Sequence, residues 1–206
     1  MAALVLDCET SGLWRKDLQL GDVGQPWVVK LAAGHFGNDA ALINAFDLTV
    51  RPNGRRIKEA AEKVHGISAI DAERVGISES FVLLTLADMA GKVGRVVTFG
   101  DFDPMVIEHL LVQLEQKTNQ RKYVCRWRRP GLEFVNIQHP ACQLVCNLPP
   151  AFEGGDPAWP SLDVACEVIL GIPPREGHHQ PWEDLRRTNL LYRELLRRGH
   201  FEGEAA

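Results

Sequence analysis

The sequence lacks any apolar run able to cross a bilayer. From Val135 to Phe152 there is no Asp, Glu, Lys or Arg, but Asn, Gln, His and Pro recur throughout and their backbone could not be satisfied in lipid. No membrane association is expected. The N-terminus lacks a basic region followed by an apolar stretch and reaches an acid at Asp7, so no secretory signal is expected and the chain reads as cytoplasmic. An excess of basic charge is also missing. Twenty-three Lys and Arg stand against 27 Asp and Glu, a net charge of -4, so bulk charge gives no argument for nucleic-acid binding. Cysteine is sparse: five residues, an odd number, in a chain too long to need disulfide staples, which implies free thiols in a reducing compartment. Repeats are absent, as are the compositions of disordered, collagen-like and coiled-coil chains. What is present, 206 residues of which 45% are hydrophobic and 24% charged, is the composition of a single globular domain with a full core.

Three runs near the N-terminus read as strands. Ala2 to Cys8 is continuously apolar before its acid, Asp7, as in a strand buried on both faces, and Trp27 to Phe36 and Leu42 to Val50 flank a Gly37-Asn38-Asp39 turn. Ile57 to Val64 predicts a short helix stopped by Gly66, and Phe81, Leu84 and Ala87 predict a helix over Ser78 to Lys92. A fourth strand follows at Arg95 to Phe99. Asp103-Pro104 reads as a helix cap and first helical residue, opening a helix to about Gln116. From residue 117 to 160 periodicity is lost, and this basic, Cys- and Pro-rich stretch reads as an insert. Helices resume at Leu162 to Leu170 and from Pro181 to Arg198. The order implies an α/β fold with a mixed sheet flanked by helices.

Asp7 and Glu9 stand two apart at the end of the first strand, so both carboxylates share a face while Cys8 points away. Such a pair repels itself, and a divalent cation with oxygen ligands is its natural relief. Spacing alone favours two solvated acids at an exposed strand end, because D-x-E is common by chance. The surrounding residues add a resemblance. Asp7-Cys8-Glu9-Thr10-Ser11-Gly12-Leu13 resembles the first motif, D-x-E-T-[TS]-G-L, of the DEDDh 3′-to-5′ exonucleases, a DnaQ-like group of the ribonuclease H-like superfamily. Val50-Arg51-Pro52, Ile57 and Val64-His65-Gly66-Ile67-Ser68 are similar to its next segment. Thr98-Phe99-Gly100-Asp101-Phe102-Asp103 keeps the Phe-Asp of the second motif without its His-Asn, and is closer to the G-D-[WF]-D form of RNA-trimming members. His179-Gln180-Pro181-Trp182-Glu183-Asp184 has the third motif, H-x-x-x-x-D. For Asp103, a helix cap remains the alternative reading.

The resemblance implies a ribonuclease H-like fold spanning residues 1–206, and a metal-dependent 3′-to-5′ exonuclease. Asp7, Glu9, Asp103 and Asp184 would hold two Mg²⁺ or Mn²⁺ ions, with His179 the general base. Asp7 would bridge both ions, Glu9 and Asp184 would complete the first site, and Asp103 would support the second. Thr10 and Leu13 would hold the terminal nucleotide, with Phe102 and His65 nearby; for Leu13 and Phe102 core packing is an equal reading. The partners implied are single-stranded DNA or RNA 3′ ends, DNA slightly favoured, with room for protein partners in a nucleic-acid-processing complex. The alternatives are an RNA-trimming exoribonuclease and a nuclease-fold binding subunit with vestigial activity.

Two features fall in the 117–160 stretch. Lys117, Arg121, Lys122, Arg126, Arg128 and Arg129, interleaved with Tyr123 and Trp127, have the composition of a strand-tracking surface, with Arg126 and Arg128 as substrate contacts. A solvated surface is the other reading. Cys125, His139, Cys142 and Cys146 are zinc-ligand types, but no Cys-x-x-Cys knuckle is present, which favours free thiols.

Overall fold

The computed structural model describes residues 2–145, 148–150 and 153–201. Its centre is a five-stranded mixed sheet of β1 (Ala3–Thr10), β2 (Val28–Phe36), β3 (Leu42–Thr49), β4 (Arg95–Thr98) and β5 (Glu133–Asn136), in the order β3-β2-β1-β4-β5. The first three strands form the expected antiparallel meander. β4 and β5 run parallel to β1, with Ala3 opposite Arg95 and Thr98 opposite Asn136. β1 therefore lies in the middle and its apolar sequence is accounted for: Leu4, Leu6 and Cys8 pack on one face, Ala3 and Val5 on the other.

Helices cover both faces. One layer holds α3 (Glu79–Ala90), α4 (Phe102–Thr118) and α5 (Lys122–Trp127), whose Leu83, Leu86, Ile107, Leu110 and Trp127 are sealed from solvent. The other holds α6 (Gln138–Leu144), α7 (Leu162–Leu170) and α8 (Pro181–Arg197). α8 presents Leu185, Leu191, Tyr192 and Leu195 to β1 and β2 at helical spacing, while Arg186, Leu190 and Arg197 face outward. The mixed sheet flanked by helices matches the expected fold class.

Three differences from the sequence expectations have local causes. α1 (Glu59–His65) ends at Gly66 in the left-handed conformation at φ 71°, as expected, but a second short helix, α2 (Ala69–Val75), follows at once. The Ser68 hydroxyl accepts the Asp71 N–H at 3.0 Å and donates to the Asp71 carboxylate at 2.7 Å, so this helix is capped within four residues. α4 begins at Phe102, not at a cap on Asp103. Gly100, at φ 105°, turns the chain sharply off β4; Asp101 takes the cap position without a side-chain bond, and Asp103 lies in the first turn, buried. Residues 117–160 contain α5, β5 and α6, so this stretch supplies an edge of the central sheet. β5 has only four residues, with half of them exposed, too few to show an alternating pattern.

Candidate active site

β1 carries Asp7 and Glu9 on the face toward α8, and Glu9 is its last residue before the pairing with β2 shifts register at Thr10. Pro181 opens α8 at its first position, and Asp184 in the first turn is 3% exposed. Ligand atoms of Glu9, His179 and Asp184 lie within 4.8 Å of one another. Asp103 enters from α4, where the Cys8 thiol donates to its Oδ1 at 3.2 Å. Four acids from three elements thus converge at one end of the sheet.

Their electrostatics show what the convergence costs. Burial, followed by the charges of Asp103, Asp184 and Glu9, drives the Asp7 carboxyl well above its ordinary range. Burial, then Asp184 and Asp103, pushes Glu9 up to about 7, and burial likewise raises Asp103 to about 7. Asp184 is raised by burial too, against the opposing pull of Arg175. This is a donor set of oxygen ligands short of positive charge, which suits hard divalent cations. The protein's own cation confirms the local demand: the Arg175 guanidinium bonds Asp184 directly and Asp163 at 3.0 Å, while Arg187 holds Asp163 at 3.2 Å and the Pro173 carbonyl at 3.1 Å.

The two histidines before α8 are sorted by one carbonyl. Val64 O accepts the His179 backbone N–H at 3.2 Å and approaches His178 Nδ1 at 3.3 Å. The His178 ring lies over Gly66, where an added Cβ would meet it at 2.8 Å. His179 instead lines the cleft, its Nδ1 3.8 Å from Asp184 Oδ2.

That cleft, about 620 Å³, is lined by Glu9, Thr10, Leu13, His65, Phe102 and His179 together with Cys8, Gly12 and Lys58. Leu13 is 79% exposed, so it is no core residue, whereas Phe102 packs partly against the core. His65 is buried and its Nδ1 accepts the Ile67 N–H at 3.0 Å. Arg126 and Arg128 are not among the lining residues: they sit at the end of α5, where Arg126 holds Asp88 at 2.8 Å and Arg128 holds Glu108 at 2.6 Å. Cys125 is exposed on α5, Cys142 is half-buried on α6, and His139 packs edge-on to Trp159. Among the described residues these three form no metal-holding group, and Cys146 lies outside the described residues.

Sequence reasoning missed Arg175 and Asp163, the pair behind Asp184. Arg175 stands in an aperiodic Pro-Pro-Arg-Glu-Gly loop that carries no motif. Cys8 was set aside as pointing away. It does point away, and through that very direction it reaches Asp103.

No protein-family model and no curated protein sequence matches the chain. Solved structures do. An exonuclease I from Methylocaldum szegediense superposes with a TM-score of 0.69 at 17% identity, over 96% of this chain and 40% of that one. The zinc-bound form of the Escherichia coli exonuclease I complex with single-stranded DNA gives 0.71 at 15%, over 96% and 41%. A full-length 3′-exonuclease gives 0.61 at 15%, over 96% and 61%. The chain spans about two fifths of the length of the exonuclease I structures it matches. At such identities the likeness is one of architecture, and the chain has the ribonuclease H-like fold that these exonuclease structures share.

Proposed function

We propose that the chain is a metal-dependent 3′-to-5′ exonuclease acting on single-stranded nucleic acid. The observation that carries this reading is the meeting of Asp7, Glu9, Asp103 and Asp184, each with its carboxyl raised, beside His179 at the cleft. Glu9, Asp184, Asp103 and Asp7 would hold the divalent ions, with Mg²⁺ or Mn²⁺ as the metal. Bound there, the ions supply Lewis-acid activation of water and neutralise charge on the scissile phosphate. His179 accepts the proton of the attacking water, and Asp184 at 3.8 Å stabilises the imidazolium that results. The P–O3′ bond breaks as the new P–O bond forms, and the departing 3′ oxygen takes a proton from solvent. Thr10 and Leu13 grip the terminal nucleotide, with Phe102 and His65 at the pocket wall.

DNA is the favoured substrate, since structural neighbours of the chain were determined with single-stranded DNA. The Gly100-Asp101-Phe102-Asp103 segment keeps an RNA 3′ end as the second reading. One assay addresses both. Oligonucleotides labelled at either end, in DNA and RNA versions, are incubated with Mg²⁺, Mn²⁺ or EDTA. Stepwise shortening of the 5′-labelled strand from its 3′ end, abolished by EDTA, is expected. Cleavage that persists in excess chelator, or internal cuts, would overturn the reading.

A further inference from the structure

Beyond the catalytic cleft, two more hollows continue in one direction. The cleft shares Gly12, Leu13 and Lys58 with a neighbouring hollow of about 360 Å³ that also takes in Arg56. That hollow shares Val23, Gln25, Trp27 and Arg55 with a third, of about 210 Å³, which reaches His109 and Lys117. Shared walls make the three a single path from the acid cluster across the surface.

We propose that this path carries the single strand upstream of its 3′ end, with Lys58, Arg56 and Lys117 on its phosphates and the exposed Leu13 and Val23 beside its bases. The proposal rests on the exonuclease reading for the direction of the strand.

Free charge is the first support. Arg56, Lys58 and Lys117 are exposed, and among the described residues none has an acid within ion-pair distance. Three of the four arginines of the 117–130 stretch differ: Arg121 lies 3.2 Å from Glu115, Arg126 is on Asp88, and Arg128 is on Glu108, while Arg129 bonds the Val93 carbonyl. A phosphate there must displace an acid already in place; along the path it replaces only water and counterions. Among the described residues Glu79 is the one acid lining the path's far end, and Arg55 already holds it at 2.7 Å while its guanidinium lies 4.2 Å over the Trp27 ring.

Exposed apolar groups are the second support. Leu13 is 79% and Val23 85% exposed, and both line the path. Alternating cations and apolar side chains meet the alternating phosphates and bases of a single strand.

A buried donor is the third. His109 is fully buried, and its Nδ1 accepts the Gly21 N–H at 2.8 Å, which places the ring proton on Nε2. Nε2 has no partner among the described residues, and the ring lines the third hollow. An oxygen acceptor of the strand would satisfy it.

The test is binding of a 5′-fluorescein oligonucleotide of about 12 nucleotides, followed by anisotropy in EDTA over a salt series. Each single-strand phosphate contact contributes about 0.7 to the slope of log affinity against log salt, so R56E/K117E should flatten it by about 1.4. Its affinity at low salt should fall at least about tenfold, and R56Q/K117Q should show the same change in milder form. R126E/R128E should leave the slope unchanged. Wild-type affinity and slope in R56E/K117E, or an equal loss in R126E/R128E, overturns the path. Hydrolysis by the unmodified protein with Mg²⁺ is scored separately. Binding that is salt-sensitive through Arg56 and Lys117 without hydrolysis retires the enzyme and keeps the path; hydrolysis with an unaltered R56E/K117E slope does the reverse.

Discussion

Replacing Glu9 by Gln should stabilise the metal-free protein, and only above the pH at which Glu9 would otherwise ionise. The carboxyl is 8% exposed and faces Asp184 and Asp103, which together with burial move it from 4.5 to about 7. Below about pH 4.5 it is protonated whether the chain is folded or unfolded, and no penalty exists. As pH rises the unfolded chain ionises first, so the folded state loses stability progressively, and the loss is complete above about pH 7. A displacement of that size corresponds to about 3 kcal/mol. Water admitted by the open cleft and relaxation of the neighbouring acids reduce it, leaving about 1–3 kcal/mol, or about 3–10 °C in melting temperature for a domain of this size. Thermal unfolding in EDTA at pH 5 and pH 8 measures it. The variant should melt close to wild type at pH 5 and well above it at pH 8. Added Mg²⁺ should narrow the gap at pH 8 by stabilising the wild type, because a bound cation relieves the same repulsion. A gain of equal size at both pH values, or a loss at pH 8, is incompatible with a self-repelling acid cluster.

His179→Ala should lower the cleavage rate by about 10² to 10⁴, whereas His178→Ala, whose ring packs on Gly66, should do far less. Comparable losses from the two, measured under single-turnover conditions, would assign the base wrongly. Arg175→Met should destabilise the metal-free protein at pH 8 by about 3 kcal/mol, since it strands the nearly buried Asp184 and leaves Asp163 with Arg187 alone. Mg²⁺ should recover part of that loss; a melting temperature matching wild type in EDTA would show that the ion pair carries no stability.

The central strand and the final helix were legible because each follows one rule along its length. Ala3 to Leu6 is apolar without interruption, as a strand covered on both faces must be, and Leu185, Leu191, Tyr192 and Leu195 repeat at helical spacing behind Pro181. β5 follows no visible rule. Its four residues take their place by pairing with β4, a non-local condition that its own sequence cannot express. The acids were legible in the same uneven way. Asp7 and Glu9 are marked by a period of two, and Asp184 by its distance from His179. The helix cap was expected two residues late, at Asp103, because Asp-Pro is a helix-start signal, whereas the chain after Gly100 starts the helix from a cap at Asp101. Arg175 was invisible because its partners, Asp163 and Asp184, lie on two different helices.

The acids come from widely separated parts of the chain: Asp7 and Glu9 from β1, Asp103 from α4, Asp184 from the first turn of α8. During synthesis the first pair is therefore made early and stays idle for most of translation. Helix α8, which packs on β1 and β2, must emerge from the ribosome and dock before the cluster exists. A chain that stops before Asp184 has three of the four acids and no α8 to carry the last, so the set forms only once the two distant ends of this stretch have met.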